Sequence, residues 1–123
     1  MIHGVGTDII EIERIKRSIE RHRQHFLDRV FTEKEQEYCL RHRESERHFA
    51  GRFAAKEAVV KALGTGFTRG IGWLDIEIEN DSSGKPFVKL SSRLQEFFGA
   101  TNLSISISHC RNYAVAFAVH EKK

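Results

Sequence analysis

Cysteine is too scarce in this sequence to build a framework: the two that occur, Cys39 and Cys110, follow no regular spacing. Long hydrophobic runs are missing too. None approaches the ~20 residues of a membrane span, and the N-terminus carries no signal-peptide pattern. We therefore expect a cytoplasmic protein with reduced thiols and no membrane partner. Repeats, low-complexity tracts and linkers are also lacking, so residues 1–123 read as one domain, long enough to bury a core. Hydrophobic content of 40% and charged content of 30% exclude a disordered chain.

What is present is unevenly charged. Residues 14–61 hold 13 of the 20 Lys and Arg but 8 of the 17 Asp and Glu, an excess of five positive charges, whereas the whole chain is +3. A basic front half implies an acidic partner or a polyanionic ligand on one face. Nucleic acid is one candidate, but no helix-turn-helix, zinc-finger or RNP-type pattern accompanies the charge, and few aromatic residues are available for stacking. A zinc module is disfavoured as well: Cys39-x-x-His42 and His22-x-x-His25 have no second ligand pair at structural-zinc spacing.

The most informative stretch is 49–64, FAGRFAAKEAVVKALG. At about 100° per residue, Phe49, Phe53, Val60 and Leu63 form one apolar stripe, while Ala50, Ala54 and Ala58 keep another side small. A helix apolar or small almost all round is buried, yet Arg52, Lys56, Glu57 and Lys61 interrupt it. Buried charges require partners, so Glu57 and its neighbours are expected at a cleft or an interface. A carboxylate with lysines at −1 and +4 suits a metal and a phosphorylated ligand. The competing reading is an ordinary Glu57–Lys61 i,i+4 pair, worth about 0.2–0.5 kcal/mol. Lys56, inside the apolar stripe, reads equally as a structural ion pair.

Along the chain, residues 2–8 read as a strand, with Gly4 and Gly6 breaking its side-chain pattern. Ile9, Ile12, Ile15 and Ile19 fall at helical spacing and predict a helix over 9–21, with Arg14, Arg17 and Arg21 on its outer side. Thr32 and Glu35 predict a capping box for a helix over 33–41. The buried helix ends at Gly64, and a glycine-rich loop continues to Gly72. Leu74, Ile76 and Ile78 alternate with acidic residues as a half-buried strand. The turn chemistry of 80–86 returns the chain into a strand over 87–90, and a short helix follows at 93–98. Leu103, Ile105 and Ile107 alternate with serines, then 113–120 completes another hairpin. Helices and antiparallel hairpins segregated along the chain predict an α+β fold.

Five segments in order now carry a resemblance: G-V-G-T-D-I-I-E-I-E-R-I at 4–15, G-R-F-A-A-K-E-A-V-V-K-A-L-G-T-G at 51–66, D-I-E-I at 75–78, N-D-S-S-G-K-P at 80–86 and I-S-I-S-H at 105–109. Their order and spacing resemble the 4′-phosphopantetheinyl transferases, in the short holo-acyl-carrier-protein synthase branch. The resemblance covers essentially the whole chain and matches least clearly over 21–47. It implies that family's fold, with antiparallel strands packed on a long buried helix.

It further implies transfer of the phosphopantetheine arm of coenzyme A to a serine of an apo-acyl carrier protein, with release of adenosine 3′,5′-bisphosphate, in support of fatty acid biosynthesis. Such a reaction needs charge neutralised on phosphate oxygens. The resemblance assigns Asp8 and Glu57 to Mg²⁺, which takes one or two carboxylates and completes its shell with water and phosphate oxygens. Asp8 alone reads otherwise as a helix cap ahead of Glu11. By resemblance, Lys61 lies near the pyrophosphate and His109 binds a coenzyme A phosphate, with Ser108, Arg52, Gly84 and Lys85 as further nucleotide contacts. The general base is Glu57 or a metal-bound water. Acidic carrier proteins are expected on the helix after the aspartate, at Arg14 by motif position and at Arg17 and Arg21 by charge and spacing. Short members of the family are homotrimers with sites between subunits, which suits a helix this apolar in a chain this small.

Overall fold

An alanine-rich helix with apolar groups on nearly every side needs cover on nearly every side, and the rest of this chain supplies it. The computed structural model describes residues 1–64 and 70–122. In chain order the elements are β1 (Ile2–Glu11), α1 (Ile12–Val30), α2 (Glu33–Leu40), α3 (Ser45–Leu63), a single 3-10 turn (Trp73–Asp75), β2 (Ile76–Asn80), β3 (Pro86–Leu90), α4 (Ser92–Phe98), β4 (Thr101–His109) and β5 (Tyr113–Lys122). Three strands form an antiparallel sheet in the order β1-β5-β4, and β2 and β3 form a separate hairpin. The architecture is α+β, with α3 at its centre.

α3 lies directly on the inner face of the larger sheet. Ala114, Ala116 and Ala118 of β5 are buried on that face, while Tyr113, Val115 and Phe117 alternate outward. β1 approaches still closer. A Cβ at Gly6 would stand 2.0 Å from the Ala58 carbonyl oxygen, and one at Gly4 would stand 2.1 Å from that of Ala62. Both lie far inside van der Waals contact, so only glycine lets β1 sit on α3. The opposite side of the helix is closed by Phe49 against Phe31, with ring centroids 4.9 Å apart, and by Phe53 stacked on Trp73 at 4.9 Å. Gly64 ends α3 in the left-handed region at φ 81°, its N–H donating to the Val60 and Lys61 carbonyls.

One of the charges on α3 belongs to this packing. Lys56 is fully buried and pairs at 2.7 Å with Glu35, which is also fully buried. Its ammonium donates as well to the carbonyls of Val30 at 2.7 Å and Trp73 at 3.1 Å. Glu35 meanwhile accepts from the backbone of Thr32, closing the predicted capping box, and from the Ile78 N–H at 2.7 Å. One ion pair thus ties α1, α2, α3 and the β2–β3 hairpin together with every polar atom engaged. Burial lowers the Lys56 pKa, and Glu35 opposes that shift.

Several boundaries differ from the sequence expectation. Ile9 and Ile10 continue β1, opposite Val115 and Ala114 of β5, so the helix begins at Ile12 and not at residue 9. Ile9 falls at helical spacing, but a β-branched residue fits a strand equally, and pairing with β5 decides. α1 also runs beyond residue 21 to Val30, because Leu27 and Val30 reach the core, and it breaks at Arg23, where φ is 51° and ψ −131°. Leu74 stands exposed in the 3-10 turn, where Asp75 accepts from the Gly72 N–H at 2.8 Å, and the strand starts at Ile76. Of the glycine-rich loop, residues 65–69 lie outside those described.

Candidate active site

Asp8 shares the inner face of β1 with Gly6 and Ile10, which aims its carboxylate at the exposed side of α3. There Lys61 donates to the Asp8 carboxylate at 3.2 Å and to the Thr7 carbonyl at 2.9 Å. Glu57 lies one turn before Lys61 and is half-buried. Its carboxyl pKa is raised by burial first and by the Asp8 charge second, while Lys61 pulls it down. The three side chains therefore form one electrostatic group. Among the described residues, the ion pair of Lys61 is with Asp8, so the simple Glu57–Lys61 pair is not what the chain builds. Nor does Asp8 cap α1: the N-cap is Glu11, without a side-chain hydrogen bond.

Two carboxylates against one ammonium leave net negative charge at a partly open position. A hard divalent cation relieves that repulsion. Among the described residues no group of three or more His, Cys, Asp or Glu is placed to hold a metal. A pair of carboxylates suits a cation that keeps most of its shell for water and phosphate oxygens.

The remaining candidates fall into three other places. Arg52 is buried, donates to the Asn80 side-chain oxygen, and sits 3.8 Å above the Tyr38 ring. Asn80 in turn donates to the Gly84 carbonyl at 2.9 Å. The turn holding Gly84 and Lys85 is organised by Asp81, which accepts from the Ser83 and Lys85 N–H groups at 2.9 and 3.0 Å. Gly84 adopts φ 89°, a conformation suited to glycine. His109 ends β4, with its ring 5.8 Å from that of His48. Ser108 precedes it and, by strand alternation, points to the outer face with Ser104 and Ser106. Arg14, Arg17 and Arg21 line an open groove of about 550 Å³ on α1 with Ser18, Glu20 and His22. Arg17 makes a loose, exposed pair with Glu13 at 3.9 Å.

The strand order separates the Asp8 group from His109. β5 is central, so Asp8 on β1 and His109 on β4 stand at opposite edges of the sheet. On α3, His48 and Glu57 are separated by about 13 Å of rise and roughly 180° of rotation. Sequence reasoning missed Glu35 as the partner of Lys56, Asn80 as the partner of Arg52, and the neighbours of His109. These contacts join distant segments, and no local spacing signals them.

The model of the 4′-phosphopantetheinyl transferase superfamily matches residues 4–118. The chain is 60% identical over 119 residues to the holo-[acyl-carrier-protein] synthase of Protochlamydia amoebophila, covering 97% of this chain and 98% of the relative. Among solved structures, the Helicobacter pylori holo-[acyl-carrier-protein] synthase in complex with coenzyme A superposes with a TM-score of 0.88 at 34% identity, covering 95% of this chain and 99% of that one. The Bacillus anthracis synthase, in complex with CoA (3′,5′-ADP), gives 0.86 at 38% identity, covering 100% and 99%. Sequence, fold and the placement of Asp8, Glu57 and Lys61 lead to one conclusion: the chain belongs to the 4′-phosphopantetheinyl transferase superfamily, in its holo-[acyl-carrier-protein] synthase family.

Proposed function

We propose that this chain transfers the 4′-phosphopantetheine arm of coenzyme A to a serine of an apo-acyl carrier protein, yielding holo-carrier and adenosine 3′,5′-bisphosphate for fatty acid biosynthesis. The observation that carries this reading is the Asp8–Glu57–Lys61 group, built from the two motifs that match the family best. Asp8 and Glu57 would hold Mg²⁺, which when bound neutralises charge on the phosphate oxygens. Lys61, already aimed at Asp8, is the cation nearest the departing phosphate oxygen and stabilises its charge. Burial and the Asp8 charge raise the affinity of the Glu57 carboxyl for a proton. Gly84, Lys85, Ser108 and His109 are the contacts for the nucleotide end, and Arg52 positions the 80–85 turn through Asn80.

The same reading gives α1 a partner. Arg14, Arg17 and Arg21 present positive charge immediately after the strand that carries Asp8, where an acidic carrier helix would bring its serine to the site. It also gives the outer face of the sheet a use. Val5, Ile9, Val115 and Phe117 are 56%, 65%, 37% and 47% exposed, side by side on β1 and β5. A contiguous apolar face marks an interaction surface, and a homotrimer would cover it. With Asp8 and His109 on opposite edges, a site between subunits takes the carboxylates from one chain and His109 from the next. Among the described residues no helix is long and apolar enough to cross a membrane, and a cytoplasmic location follows from the substrates.

Asp8→Asn and Glu57→Gln test the assignment. Each should lower transfer at limiting Mg²⁺ by at least about 100-fold, in line with losing a principal electrostatic group, while thermal melting stays cooperative. A chelator should silence the wild type equally. Undiminished transfer by either variant would remove the pair from the reaction.

A further inference from the structure

His109 is an exposed residue at the end of a strand, yet its ring is not unsupported. It meets the His48 ring of α3 edge-on, with centroids 5.8 Å apart and planes at 76°. His48 in turn stands nearly perpendicular to His42, at 3.8 Å and 87°, and to Tyr38, at 5.8 Å and 80°. The Tyr38 ring carries the Arg52 guanidinium at 3.8 Å, and Arg52 is fixed by Asn80. A row of rings therefore runs from a buried, hydrogen-bonded arginine to the imidazole of His109, and His48 is its last link. Nothing in the Asp8–Glu57–Lys61 group uses this row.

We propose that His48 is a positioning residue for His109, holding that imidazole in the orientation in which it meets a phosphate of coenzyme A. The inference rests on the reading of His109 as a phosphate contact. Orienting a side chain before the ligand arrives reduces the ordering cost of binding. The contribution of His48 is the shape of its ring and not its charge. Burial, with the neighbouring His42, His109, Arg52 and Arg47, pushes its pKa down to about 4, so it is neutral at working pH. Another aromatic ring should therefore do the same work.

The test is steady-state transfer with coenzyme A and carrier varied separately. His48→Ala should raise KM for coenzyme A by about three- to tenfold, the size expected for losing preorganisation at one contact. It should leave kcat and KM for the carrier unchanged, and His48→Phe should restore the wild-type KM. On a His109→Ala background, His48→Ala should add nothing, because its effect passes through His109. If His109→Ala leaves KM for coenzyme A unchanged, the phosphate reading itself falls. If His109→Ala raises it but His48→Ala does not, or if the two effects simply multiply, only the role of His48 falls. Ring-proton NMR of the wild type gives a check that needs no variant. Adenosine 3′,5′-bisphosphate should shift the His109 and His48 resonances together, and a shift of His109 alone would overturn the coupling.

Discussion

At the scale of residues, the four charges within 49–64 of α3 divide into two kinds. Arg52 and Lys56 are buried and answered by side chains of other elements, Asn80 and Glu35. Glu57 and Lys61 reach the surface beside Asp8, which pairs with Lys61 and repels Glu57, and the three make a group with chemistry to offer. Glu57 makes the distinction measurable. A carboxyl whose folded pKa is raised above its ordinary value of 4.5 binds its proton more tightly folded than unfolded. The metal-free protein therefore loses stability as pH rises from about 4.5 through that raised value. Under the proposed assignment, Mg²⁺ would bind the ionised pair and offset the loss. The Mg²⁺-induced rise in Tm should accordingly be larger at neutral than at acid pH, and should vanish in Glu57→Gln. Equal shifts at both pH values, by scanning calorimetry, would place the metal elsewhere.

At the scale of elements, what was legible in the sequence was local. The Thr32–Glu35 capping box, the Gly64 stop, the 80–86 turn and the alternating serines of β4 are each set by neighbours a few positions away, and each is found. The extent of α1 was not legible, because Ile9 and Ile10 pair with β5 and because Leu27 and Val30 reach the core beyond the Arg23 break. Glu35 was visible as a cap but not as the partner of Lys56. The role of Asp8 came from resemblance, since its spacing to Glu11 suggested a cap that the fold does not make. The basic face of α1 was legible as charge, and its use is testable. Arg14→Glu should raise KM for the carrier by about tenfold or more at low salt and leave coenzyme A binding unchanged, because charge complementarity acts on encounter. Added salt should weaken the wild type and narrow the gap between the two proteins. An unchanged carrier KM at low salt would reduce this face to a solvated surface.

At the scale of the whole molecule, the sheet sets the Asp8 group and His109 on different strands. α3 occupies its inner face, Val5, Ile9, Val115 and Phe117 leave an exposed apolar patch on the outer face of β1 and β5 beside the serines of β4, and the central β5 holds Asp8 and His109 apart. Under the proposed trimer, mixing Asp8→Asn with His109→Ala chains creates interfaces where both residues are intact, about a quarter of the total for random closed assembly. Activity at low coenzyme A should recover to that order, whereas activity no greater than the average of the two variants would assign each site to one chain. Mixing Asp8→Asn with Glu57→Gln should restore nothing, since those two residues share one group in one chain. Most direct of all is the mass of the carrier itself. Apo-acyl carrier protein incubated with this protein, coenzyme A and Mg²⁺ should gain the mass of one phosphopantetheine on its serine, with adenosine 3′,5′-bisphosphate released in equal amount and no gain after chelation. A carrier whose mass never changes, or changes equally with Asp8→Asn, would contradict the account.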